Sequence, residues 1–260
     1  MSLFDRIGKG IGLVSLVCLS LIAFSQVTLR AGESAILTPA PAVDQPMAPG
    51  KTQIAVLSGG CFWAVQGVFQ HVKGVEQVWS GYAGGDKSSA TYEQVSTGTT
   101  GHAESVEIAF DPAQISYGQI LRIFFSVAHD PTEVNHQGPD VGPQYRSVIF
   151  FVDADQRRIA QAYIAQLEKA GVFSQAITTQ TEAFKGFFTA ESHHQNYLVN
   201  HPTEPYIVTN DLPKIVNLKR LFPDLYRDDP VLTTALAPSE YTKVSAPRRA
   251  GWNANLSRIG

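Results

Sequence analysis

Thr52-Gln53-Ile54-Ala55-Val56-Leu57-Ser58-Gly59-Gly60-Cys61-Phe62-Trp63 reads as a strand, a glycine turn and the start of a helix. The β-former run predicts a strand over 52–57, and apolar periodicity after Cys61 predicts a helix over 62–71. A thiol at a helix start meets the positive end of the macrodipole and unpaired backbone N–H groups. Both favour thiolate, the reactive form, so Cys61 is expected as an ionised nucleophile. The bulky Phe62 and Trp63 beside it would wall a small apolar pocket.

Working outward, residues 75–82 carry the β-formers Val75, Val78, Trp79 and Tyr82, without clean alternation. Gly81-Tyr82-Ala83-Gly84-Gly85 opens a polar loop. Over 103–110, Val106, Ile108 and Phe110 alternate with Ser105, Glu107 and Ala109, a half-buried strand closed by Asp111-Pro112. A helix is expected over 117–129, a long Pro/Gly/Asp loop over 130–144 and a strand over 147–152. A strong amphipathic helix over 154–170 and a strand over 176–181 follow. Some strands succeed each other with no helix between. That predicts an α+β sandwich with a mixed sheet and not a doubly wound parallel fold.

With 44% hydrophobic residues and a formal net charge of -3, the 260-residue chain can bury a substantial core. No basic stripe interleaves with aromatics, which argues against nucleic acid as a partner. Arg6 and Lys9 precede the apolar run 11–24, the pattern of a secretory signal. That run is short against the roughly 20 residues of a membrane-spanning helix. Residues 1–25 are therefore expected as a signal peptide or N-terminal anchor, and the protein as exported: periplasmic, or anchored facing the periplasm. Residues 26–50 read as a flexible linker, 51–230 as the folded domain, and 231–260 as a disordered basic tail. Of the two cysteines, Cys18 lies in the exported segment, and Val17 before it is too large for a lipoprotein signal. A cleaved chain would retain Cys61 alone, either inert or reactive. Its place between Gly59-Gly60 and Phe62-Trp63 favours reactive.

Cys61 needs an acid and donors. Glu104 shares the parity of Val106, Ile108 and Phe110, so it points to the apolar face, where burial raises a carboxyl pKa and makes a general acid. Tyr92 in the polar loop and Tyr145 at the end of the long loop offer phenol donors to an oxygen carrying negative charge. Asp140 could orient a donor or serve as a turn residue. Singly, each also suits a rim or surface position. His193-His194 near Glu191 lack metal-ligand spacing, and no metal is expected. The remaining histidines read as structural, and no phosphate-binding glycine loop is complete.

Together, Gly60-Cys61-Phe62-Trp63, Gly81-Tyr82-Ala83-Gly84-Gly85, Thr91-Tyr92, Thr100-Gly101-His102-Ala103-Glu104, His129-Asp130-Pro131, Gln144-Tyr145-Arg146-Ser147 and His194-Gln195-Asn196-Tyr197-Leu198 resemble the A-type peptide methionine sulfoxide reductases. The likeness runs in family order from about Gln53 to Arg227. It implies a ferredoxin-like two-layer α+β core and reduction of the S epimer of methionine sulfoxide in oxidised proteins and peptides. It further implies Cys61 as nucleophile, Glu104 as acid, Tyr92 and Tyr145 as donors, Asp140 in support, and Phe62 and Trp63 as a methyl cage. No cofactor and a monomer are expected.

Three departures from the family pattern stand out. Gln66 occupies a position that is often glutamate, Ser96 one that is often cysteine, and the C-terminal region lacks resolving cysteines. Without those, an external thiol must clear Cys61: a thioredoxin-like or glutaredoxin-like protein, or a small thiol. Two competing readings follow the same residues. One is a degenerate module that binds methionine sulfoxide without turnover. The other is a cysteine hydrolase using His102 or His194.

Overall fold

The computed structural model describes residues 35–234. The elements run β1 (Gln53–Ser58), α1 (Phe62–Gln70), β2 (Val75–Ala83), α2 (Tyr92–Val95), β3 (Ala103–Phe110) and α3 (Tyr117–Ile123). They continue with β4 (His136–Gln137), β5 (Asp140–Val141), β6 (Val148–Phe151), α4 (Ala154–Lys169), β7 (Gln180–Ala183), β8 (Phe187–Thr189), α5 (Tyr197–Asn200) and α6 (Leu212–Leu221). The main sheet has the order β7-β6-β1-β3-β2-β8. Its neighbours are antiparallel except β6 and β7, so the sheet is mixed, as expected.

Strand alternation sorts the sheet into two faces. Leu57, Val106, Ile108 and Phe110 join Phe62, Val65, Val68 and Phe69 of α1 and Ile120 and Leu121 of α3 in the main core. Val56, Trp79, Ala109, Val148 and Phe150 form a second cluster. Each fully buried Val, Leu, Ile or Phe contributes about 1.5–3 kcal/mol. Because Glu104 shares parity with Val106, the sheet delivers it to the face that packs on α1.

Local chemistry sets the helix starts. Ser116 and Gln119 form a capping box at α3, and the Asp153 carboxylate accepts the Gln156 N–H at 2.8 Å at α4. β2 slips register between Val75 and Gln77, a bulge that accounts for its broken alternation. Past α3 the helical path widens into a π turn over Phe124–Ala128.

Several expectations are corrected. The described part of the 26–50 segment is bound along the domain, not a free linker. Ile36 N–H donates to Ser126 O at 3.2 Å, Arg122 Nε to Thr38 O at 2.9 Å, and Ser116 Oγ to Asp44 Oδ2 at 2.5 Å. The domain also extends past residue 230, since Thr233 is buried and donates its N–H to Asn196 Oδ1 at 2.9 Å. The long loop over 130–144 contains the β4–β5 hairpin. The strand expected over 176–181 starts later, at Gln180, because Thr178 N–H and Oγ1 donate to Pro131 O at 2.7 and 3.0 Å. The 1–25 segment and the 235–260 part of the tail lie outside the described residues.

Candidate active site

Gly60 has φ +87°, and a Cβ there would lie 2.7 Å from Gln137 Cβ, so glycine is required at this turn. The turn delivers Cys61 as the residue capping the start of α1, half-buried, with the Trp63 N–H directed at its sulfur. Gln137 in turn clips Asp130, accepting its N–H at 2.9 Å and donating to its carbonyl at 2.7 Å. The same hairpin carries Asp140 to the site.

The thiolate expectation fails in this resting geometry. Burial, then the carboxyls of Glu104, Asp211 and Asp140, hold the Cys61 thiol well above its ordinary pKa, and the Trp63 N–H only partly offsets them. Desolvation and like charge outweigh the helix terminus. Cys61 therefore rests as a thiol.

Glu104 lies where its parity predicts. It is buried, and its Oε2 accepts the Phe62 N–H at 3.0 Å across the start of α1. Burial raises its pKa to about 8, with the Phe62 N–H opposing and Asp140 adding to the rise. At neutral pH the carboxyl is protonated, as a general acid must be.

Tyr92 opens α2, and its N–H donates to Glu191 Oε1 at 2.9 Å, while the Tyr82 hydroxyl donates to Glu191 Oε2 at 2.9 Å. Tyr145 ends the turn Pro143–Tyr145. Both phenols are held above their usual pKa, by burial first and by Glu104 next. Cys61 and Asp140 add to the rise at both phenols, which groups the five residues in one electrostatic neighbourhood. A phenol with a raised pKa stays a donor through the physiological range.

The two aromatics after Cys61 divide their roles. Phe62 is 1% exposed and forms part of the core, with Tyr82 at 5.8 Å and His194 at 5.2 Å between ring centroids. Trp63 is half-buried, stacked on Tyr197 at 3.7 Å and 9°, and crossed edge-on by Tyr206 at 6.1 Å and 86°. Its indole N–H donates to His194 Nδ1 at 3.2 Å.

Three residues without an assigned catalytic role in the sequence, Glu191, Tyr206 and Asp211, complete the arrangement together with His194, which the sequence offered only as a hydrolase imidazole. The Tyr206 hydroxyl donates to Asp140 Oδ2. No motif marks Tyr206 or Asp211, whereas Glu191 and His194 stand beside the Gln195-Asn196-Tyr197 run. Among the described residues no imidazole is bonded to Cys61, as the hydrolase reading would need. His194 Nδ1 accepts from Trp63, and His102 bonds Gly85 and Asp86. Among the described residues no group of three His, Cys, Asp or Glu could hold a metal ion.

A thiol beside a protonated carboxyl, with phenols and a tryptophan around it, is equipped to polarise an oxygen bound to sulfur and attack that sulfur. The family model described as peptide methionine sulfoxide reductase matches residues 53–224. The peptide methionine sulfoxide reductase MsrA 2 of Mesorhizobium japonicum is 57% identical over 190 residues, covering 73% of this chain and 97% of that one. A like-named protein of Synechocystis is 50% identical over 173 residues, covering 66% and 81%. Among solved structures, reduced Mxr1 from Saccharomyces cerevisiae aligns with TM-score 0.55 at 30% identity, covering 65% of this chain and 96% of that one. Methionine sulfoxide reductase A of Corynebacterium diphtheriae aligns with TM-score 0.51 at 29% identity, covering 67% and 90%. With the match running from β1 to just past α6, and the Mesorhizobium relative covered almost end to end, the chain belongs to the peptide methionine sulfoxide reductase family.

Proposed function

We propose that the protein reduces methionine-S-sulfoxide in oxidised proteins and peptides, with Cys61 as nucleophile and Glu104 as acid. The observation that carries this is the buried, protonated Glu104 fixed on the Phe62 N–H, next in sequence to the thiol. The sulfoxide methyl lies against Trp63, and Phe62, buried with its ring centroid 6.4 Å from that of Trp63, backs this wall. Tyr92 and Tyr145 donate to the sulfoxide oxygen, and their bonds strengthen as charge develops there.

Cys61 Sγ forms a bond to the sulfoxide sulfur. The S–O bond breaks as the oxygen takes the Glu104 proton and the thiol proton and leaves as water. Water then adds to Sγ, the S–S bond breaks, and its electron pair stays with the methionine sulfur. The proton released by that water returns to Glu104. Sγ loses two electrons and the substrate sulfur gains two, giving a sulfenic acid and methionine. The raised thiol pKa fits this sequence, because the proton leaves only when an acceptor oxygen arrives.

A sulfenic acid is cleared by condensation with a thiol. The sequence has only Cys18 besides Cys61. Cys18 lies in the 1–25 segment that export would remove, so the reductant is external: a thioredoxin-like or glutaredoxin-like protein, or a small thiol. Export, supported by the Arg6 and Lys9 pattern before the apolar run 11–24, and a monomeric state complete the proposal. The ferredoxin-like reading is supported by the strand order β6-β1-β3-β2 within the sheet. The test is methionine release from a methionine sulfoxide peptide with dithiothreitol, comparing wild type with Cys61→Ser. Loss in the variant supports the reductase, and tight binding without methionine from the wild type would support a degenerate module.

A further inference from the structure

Gln66 lies on α1 one turn past Phe62, 1% exposed, and its amide works in both directions. Nε2 donates to Val78 O at 2.8 Å and Gln195 Oε1 at 3.1 Å, and Oε1 accepts the Asn196 N–H at 2.8 Å. Gln195 also joins β2, accepting the Ser80 N–H at 3.0 Å and donating to Ser80 O at 2.9 Å. Asn196 sits at φ +56°, a left-handed conformation that turns the chain sharply between Gln195 and Tyr197. Immediately flanking this turn are the two residues that hold Trp63: His194, which accepts its N–H, and Tyr197, which stacks on its ring.

We propose that Gln66 is a positioning residue: its amide seats the 194–197 segment on α1 and β2, and thereby fixes the Trp63 wall of the pocket. The inference rests on the reading of Trp63 as a wall of the sulfoxide site. Only an amide can donate to Val78 O and Gln195 Oε1 while accepting from Asn196. A carboxylate would oppose both acceptors. Gln66 touches neither Cys61 nor Glu104 through any of these bonds, so its effect should fall on substrate fit and not on chemistry.

The test is Gln66→Met, which keeps length and packing but neither donates nor accepts. Val78 O keeps the Thr233 hydroxyl as a donor, which favours a folded variant. Gln195→Met, at a half-buried position, removes the other half of the link and serves if the first variant does not fold. With a methionine sulfoxide peptide, KM should rise about tenfold in either variant, the scale of one lost buried hydrogen bond. Single-turnover methionine formation at saturating peptide should stay within about threefold of wild type. Trp63 emission, taken as the difference from the same protein carrying Trp63→Phe, should shift to the red. Unchanged KM and emission, or an equal loss in the single-turnover rate, would overturn the proposal. If the wild type formed no methionine, the functional reading would fail, while the emission shift would still decide the role of Gln66.

Discussion

The side chain of Glu104 crosses from β3 to the first turn of α1 and accepts the Phe62 N–H at 3.0 Å. One carboxyl thus occupies a helix N-terminus and adjoins the candidate nucleophile at once. Burial keeps it protonated up to a pKa of about 8. Glu104→Gln preserves the bond to the Phe62 N–H and removes the transferable proton. Single-turnover reduction should fall on the order of 10²–10³-fold, with peptide Kd within about threefold. In the wild type the rate should fall as pH rises through about 8, and that limb should be absent in the variant. Rapid-quench assays across pH 6–10 check both.

Asp140 accepts the Tyr206 hydroxyl, and the Tyr206 ring packs edge-on to Trp63. Tyr206→Phe keeps the ring contact and deletes the bond. We expect a drop of about five- to tenfold in kcat/KM, the scale of one hydrogen bond to a charged partner. In a double-mutant cycle with Asp140→Asn the two losses should be less than additive. Full additivity would show that the pair does not act together.

The fold was legible where the sequence has a period. The β1 run, the alternation of β3 and the amphipathic α4 are each set by local pattern. The parity of β3 alone placed Glu104 on the correct face. Three things were not legible. The arm around Thr38 and Asp44 has no period, because its order comes from bonds to residues about 70 to 125 positions away. The charge state of Cys61 was not legible because burial first, and then the carboxyls of Glu104, Asp211 and Asp140, decide it, and only the fold brings these about. Tyr206 entered the site through its bond to Asp140 and its edge contact with Trp63, neither of which a spacing rule encodes.

Glu107 is fully buried on the sheet face opposite Glu104, opposite Val56 and Trp79 in the strand register, with no hydrogen-bond partner among the described residues. Burial raises its pKa to about 7. A carboxyl with a raised folded pKa contributes no penalty below its unfolded value, and stability is lost as pH climbs through the folded one. Glu107→Gln should therefore match wild type near pH 4 and exceed it by on the order of 2–3 kcal/mol at pH 8. Urea unfolding at the two pH values measures this.

Thr38 is fully buried, and its hydroxyl lies 2.7 Å from Ser126 Oγ and 2.8 Å from Tyr163 OH. Thr38→Val should cost about 1–2 kcal/mol in unfolding free energy, the scale of a buried hydroxyl losing its bonds. The arm lies against α3 and α4, so kcat and KM should be unchanged. A change in activity would mean that the arm reaches the site.

The most direct test is a single turnover without any reductant. Stoichiometric wild-type protein and a methionine-S-sulfoxide peptide should yield one equivalent of methionine. A sulfenic-acid trap should label Cys61 in the same proportion, as read by mass spectrometry of the tryptic peptide. Methionine formation with Cys61 unlabelled, or undiminished formation by Cys61→Ser, would contradict the account.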